Sequence, residues 1–124
     1  MGNIVTRGIR GAITVARNTP EEILAATREL LEAIIKENDL DPEDIASAFF
    51  TTTADLDAEF PASAAREMGW KYVPLICATE INVPGRLDKC VRILVHVNTE
   101  KSQRELKHVY IGEAAKLRVD LLPQ

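Results

Sequence analysis

Residues 90–98 alternate with a period of two. Val91, Ile93, Val95 and Val97 point to one side, and Cys90, Arg92, Leu94, His96 and Asn98 to the other. The valine-rich side of such a strand needs a core, whereas the opposite side carries an arginine. A guanidinium cannot shed its charge, so it is costly to bury unless something negative meets it. Residues 5–15 repeat the pattern, with Val5, Ile9, Ile13 and Val15 on one side and Thr6, Gly8, Arg10, Ala12 and Thr14 on the other. Arg10 thus projects among small neighbours. Each strand arginine has two readings: an ion pair with an acidic residue of the same or a neighbouring protomer, or an anionic ligand.

Between these strands, Thr19-Pro20-Glu21-Glu22 reads as an N-cap, a proline at the first helical position and a capping-box glutamate. Ile23, Thr27, Leu30, Leu31, Ile34 and Ile35 then recur at helical spacing, opposite Arg28, Glu29, Glu32, Lys36 and Glu37, as on a helix lying against a sheet. Asp41-Pro42-Glu43-Asp44 predicts a short capped turn, and residues 48–53 are rich in strand formers. Residues 57–69, with Pro61, an alanine run and a terminal glycine, predict a short helix. Strand-like residues return at 72–76, where Pro74 points to an edge or irregular segment. Residues 101–107 predict a helix or turn and 109–111 a last short strand, while the tail from residue 114 has no assigned form.

At 124 residues the chain has the length of one domain, taken as residues 1–124, and buries only about two thirds of its unfolded surface. A pocket deep enough to dehydrate a charged ligand is hard to enclose within such a protomer, and oligomerisation solves that problem. The net charge of −4, without a long basic run, argues against a nucleic-acid partner. No stretch approaches the roughly 18 apolar residues of a membrane span, and no signal-peptide pattern opens the chain. A cytoplasmic protein is expected, with Cys77 and Cys90 as free thiols. Gly2 and Thr6 meet the loose myristoylation pattern by chance.

The common catalytic motifs are missing: no Walker loop, no dinucleotide-binding glycine motif, no nucleophile elbow and no zinc-ligand spacing. His96 and His108 read as strand filler and exposed loop. On the residues alone, the strand arginines remain the unusual feature.

Several segments together carry a resemblance. Arg7-Gly8-Ile9-Arg10-Gly11-Ala12, Phe60-Pro61-Ala62 with Arg66, Val73-Pro74-Leu75 followed by Cys77 and Glu80, Cys90-Val91-Arg92, and His108-Val109-Tyr110 resemble, in order and spacing from about Ile4 to Leu121, the monofunctional trimeric chorismate mutases. The resemblance implies an α+β fold with a mixed sheet packed by helices. It also implies a homotrimeric pseudo-barrel, sites shared between adjacent subunits, no cofactor or metal, and the rearrangement of chorismate to prephenate in aromatic amino acid biosynthesis.

By position, the resemblance makes Arg10, Glu80 and Arg92 the catalytic set. Arg10 binds a substrate carboxylate, Arg92 hydrogen-bonds the ether oxygen, Glu80 accepts from the ring hydroxyl with Cys77 beside it, and Tyr110 assists at a carboxylate. Phe60 and Leu117 supply apolar walls, Leu75 and Ile76 further substrate contacts, and Arg66 and Arg118 lie near the mouth. Ser63, one deleted residue before Gly69-Trp70, and Val119 depart from the family pattern at the rim, where they bear on affinity and on a tail expected to order with ligand. Two other classes compete. A non-catalytic trimer binding a small dicarboxylate would need Arg10 but not Arg92, and a deaminase-like enzyme on a similar trimeric fold leaves Glu80 and Tyr110 unexplained.

Overall fold

The computed structural model describes residues 2–116. Five strands form one mixed sheet: β1 (Val5–Thr14), β2 (Ile45–Thr52), β3 (Leu75–Thr79), β4 (Cys90–Thr99) and β5 (Val109–Ile111), in the order β3-β2-β4-β1-β5. β4 lies at the centre, antiparallel to both β1 and β2, and the short edge strands β5 and β3 add in parallel to β1 and β2. Helices α1 (Pro20–Asn38) and α2 (Ala62–Glu67) complete the expected α+β class.

The period-two pattern decides the two faces. Ile9 and Ile13 of β1, Val91, Ile93, Val95 and Val97 of β4, and Ala48 and Phe50 of β2 are all buried, and they join Ile23, Leu30, Leu31 and Ile34 of α1 in one core. Gly11 allows this contact to be close. A Cβ there would stand 2.8 Å from Ile34 Cδ1 and 3.0 Å from Leu30 Cδ1, tighter than real methyl contacts, so the helix lies directly on the backbone of β1.

Among the described residues, no helix lies over the opposite face. It carries Arg10, Leu94, His96, Phe49 and Ile76, with Phe49 44% and Ile76 55% exposed. Its far end is covered, where Ala12, Cys90 and Ala114 form a small second cluster with Leu87 and Tyr110.

Local signals fared unequally. Thr19 caps α1 by accepting from the Glu22 N–H, with Pro20 in the first turn, but its own N–H donates to Arg17 O, so only half of the expected capping box forms. Residues 42–44 form the expected short turn, a 3-10 segment with Asp41 accepting from the Glu43 N–H. The helix expected over 57–69 is confined to α2, because Asn18 draws the preceding segment into a loop. Its Oδ1 accepts from the N–H groups of Asp57 and Ala58, and its Nδ2 donates to Asp57. The strand expected at 72–76 begins after Pro74, whose carbonyl accepts from the Ala48 N–H and so sets the register of β3 on β2. Residues 101–107 hold one 3-10 turn, and 109–111 are β5 as expected. Among the described residues, no helix is long and apolar enough to cross a membrane.

Candidate active site

Arg92 stands on the open face of β4, and strand register places its neighbours. It pairs with Ala12 of β1 on one side and Thr51 of β2 on the other, and Ala12 pairs in turn with Tyr110 of β5. Tyr110, Ala12, Arg92 and Thr51 therefore form one row across the sheet. Arg10 begins the adjacent row on the same face, opposite Leu94 and two residues along β1, within the diagonal reach of long side chains. Its backbone N–H donates to His108 Nδ1 at 2.9 Å.

Glu80 follows β3 directly, and its N–H donates to Thr52 O at 2.8 Å. Its Oε1 accepts from Thr51 Oγ1 at 2.7 Å and lies 3.1 Å from Arg92 Nε. The two strand arginines thus differ: Arg92 has an acidic partner in its own chain, whereas no ion pair is found for Arg10 among the described residues. Arg92 and Glu80 line a cleft of about 570 Å³ together with Thr53, Asp55, Asn82 and Arg86.

The rim of this cleft is tied down by Asp55. Its carboxylate accepts from Thr53 Oγ1 and twice from the Lys89 N–H, while the Cys90 N–H donates to Thr53 Oγ1, joining the end of β2 to the start of β4. Burial pushes the Asp55 carboxyl up, but the hydrogen bonds from Thr53 and the Lys89 backbone outweigh it and hold the group below the usual carboxylate range. A carboxyl held down in this way contributes stability that is complete above about pH 4 and is lost as pH falls through its folded value. Asp55→Asn is therefore expected to lower the unfolding midpoint at pH 7 and to flatten its fall below about pH 4, measured by thermal melts across that range. Parallel pH curves for the two proteins would show that Asp55 contributes nothing.

Other expected positions lie apart from this cleft within one chain. Phe60, 66% exposed, and Cys77 line a neighbouring hollow of about 320 Å³, and Arg66 and Leu75 a third of about 440 Å³. Ile76 lies on the open face opposite Phe49. Leu117, Arg118 and Val119 lie outside the described residues. The Tyr110 hydroxyl is buried and meets no hydrogen-bond partner among the described residues, a state costing about 1–3 kcal/mol unless an outside group satisfies it.

A family model described as chorismate mutase type I matches residues 6–121. Chorismate mutase AroH of Bacillus subtilis (strain 168) is 49% identical over 119 residues, which is 95% of this chain and 94% of that protein. The AroH of Thermus thermophilus is 48% identical over 118 residues, covering 94% and 97% respectively. A solved chorismate mutase from Clostridium thermocellum superposes with a TM-score of 0.85 at 52% identity, covering 86% of this chain and 96% of that one. The chain is a type I chorismate mutase family member.

Within this chorismate mutase fold, three residues outside the expected site set lie against these positions. Thr51 carries the Glu80 carboxylate. Cys90 lies beside Arg92; burial pushes its thiol up, with the guanidinium pulling the other way. Asn38, buried at the end of α1, clamps the chain ahead of β5, its Oδ1 accepting from the Lys107 N–H and its Nδ2 donating to Lys107 O, and so sets the height of Tyr110. Strand alternation could have put Thr51 opposite the core side, but only pairing brings it to Arg92.

Proposed function

We propose that the protein is a chorismate mutase that converts chorismate to prephenate at sites completed by neighbouring copies of a homotrimer, residues 1–124 forming its one domain. The observation that carries this reading is the row Tyr110-Ala12-Arg92-Thr51 with Glu80 at its end, in a chain matched to the family over almost its full length. A [3,3] rearrangement breaks a C–O bond and forms a C–C bond in one cyclic shift of electrons. It calls for a compact substrate conformer and a field matched to the transition state, with no proton transfer or nucleophile.

In this reading Arg10 holds a carboxylate and Arg92 faces the ether oxygen as it gains negative charge. Its pair with Glu80 engages Nε, so that contact does not consume the terminal Nη groups. Glu80 accepts from the ring hydroxyl, and the orphaned Tyr110 hydroxyl meets a carboxylate. If each preorganised donor contributes about 3 kcal/mol, two or three supply the ~8 kcal/mol of a ~10⁶-fold acceleration.

The homotrimer explains why the expected contacts are dispersed in one chain. Phe60, Cys77, Arg66, Leu75 and Ile76 of one copy would face Arg92, Tyr110 and Arg10 of the next, with Leu117 and Arg118 closing the mouth. The exposed apolar residues of the open face, Phe49 and Ile76, are the surface the copies would bury. The reading places the enzyme in the cytoplasm, serving aromatic amino acid biosynthesis.

The test is consumption of chorismate, followed by its ultraviolet absorbance, with no added metal or nucleotide. The expected result is turnover far above the uncatalysed rate. Decay at the uncatalysed rate sinks the enzyme and leaves a non-catalytic dicarboxylate binder.

A further inference from the structure

The Glu80 carboxylate is held through one of its two oxygens. Oε1 accepts from Thr51 Oγ1 at 2.7 Å and pairs with Arg92 Nε at 3.1 Å. Both contacts fall on Oε1. The backbone of Glu80 is fixed too, its N–H donating to the carbonyl of Thr52, the residue after Thr51. One strand therefore anchors this residue at both ends, and a β-branched side chain, stiff at χ1, presents the anchoring hydroxyl. A carboxylate with two donors on one oxygen has a preferred rotation, in which the other oxygen is left for a ligand.

We propose that Thr51 is a positioning residue, holding the Glu80 carboxylate so that Oε2 accepts from the ring hydroxyl of the substrate. The proposal rests on the chorismate mutase reading above and adds to it a residue that acts on the substrate through Glu80. Arg92 alone would not fix this rotation. Its long side chain is half exposed and must also face the ether oxygen, whereas the Thr51 hydroxyl is given to Glu80 from a paired strand.

The competing account is that threonine at 51 merely suits a strand. The two accounts order the variants oppositely. Valine keeps the shape and strand preference and loses the hydroxyl; serine keeps the hydroxyl and loses the branch. With the full chain and chorismate as substrate, Thr51→Val is expected to lower kcat/KM about tenfold at an unchanged unfolding midpoint, the loss fitting removal of one charge-assisted bond that orients a binding group. Thr51→Ser is expected to stay within about twofold of the parent. In a Glu80→Gln background, adding Thr51→Val is expected to cost less than about twofold more, because the two residues act as one unit.

Should Thr51→Val give no folded protein, Thr51→Ala removes the same hydroxyl and carries the same tenfold expectation. Parental kcat/KM in the hydroxyl-free variant, equal damage from serine and valine, or a full tenfold loss in the Glu80→Gln background would each overturn the positioning role. A parent chain that does not consume chorismate overturns the underlying reading instead. The role of Thr51 is then judged from a crystal structure of the valine variant, where an unrotated Glu80 carboxylate overturns it and a rotated one supports it.

Discussion

Replacing Arg92 by citrulline is expected to lower kcat about a thousandfold, or ~4 kcal/mol, while the assembly stays intact. Citrulline keeps the planar shape and the Nε–H of arginine but carries no charge, so the variant isolates the cation. The expectation follows from where charge changes. A substrate carboxylate is as negative in the ground state as in the transition state, and a group that binds it, as Arg10 is proposed to do, mainly tightens binding. The ether oxygen becomes negative only as the C–O bond breaks, so a cation aimed at it acts on kcat. The rival account makes Arg92 the structural partner of Glu80. Those side chains are 48% and 27% exposed, and a pair so open to water is worth at most about 1 kcal/mol of stability. That account predicts a lowered unfolding midpoint and a kcat within tenfold of the parent. Single-turnover and steady-state kinetics, with thermal melts on the same samples, decide between them.

Phe49→Asp is expected to give a folded monomer with chorismate mutase activity reduced at least a hundredfold. Phe49 lies on the uncovered face, packed edge-on against His96 with ring centroids 5.8 Å apart, in register with Leu94 and Ile76. In one chain it is 44% exposed, so an aspartate there remains solvated and the fold should tolerate it. In a trimer the same carboxylate would be pushed into an apolar contact without a cation, at a cost of several kcal/mol per copy. The loss of activity follows because Phe60 and Cys77 line a different hollow from Arg92 within the same chain. Sedimentation velocity at micromolar concentration reads the assembly, and the absorbance assay reads the chemistry. A variant that still sediments as a trimer removes this face from the interface, and a monomer with full turnover shows the site to be complete in one chain.

Much of the fold was legible because strand and helix periods are local. The alternation over 90–98 and 5–15 anticipated β4 and β1 and their buried faces, and Thr19-Pro20 anticipated the start of α1. Where the reading strayed, a distant group had intervened. Asn18 captures the amides of Asp57 and Ala58, shortening a helix that the alanine run would otherwise extend backwards. Pairing with β2 moves the strand past Pro74. The site was less legible. Periodicity marked Arg10 and Arg92 as strand cations in want of an anion, while Glu80, Cys77 and Tyr110 were singled out only by resemblance to a family. Thr51 was not singled out, and Cys90 entered only as a free thiol and as part of a family-like segment, since a threonine or a cysteine in a strand is unremarkable until its neighbours are known.

The sequence by itself determined which sides of β1 and β4 meet the core, where α1 begins, and that so short a chain would struggle to enclose a dehydrated anion site alone. Those follow from steric period, capping chemistry and surface-to-volume scaling, which act within a few residues or on the chain as a whole. The tertiary structure decided the row. Ala12 and Arg92 are 80 positions apart and meet only because β1 lies against β4, and Thr51 reaches Glu80 only because β3 is parallel to β2. Strand order and register are set by the packing of the entire core, so no local pattern encodes them. With that packing in place, a solitary strand arginine becomes one member of a cation, carboxylate and phenol arrangement on the face opposite the core.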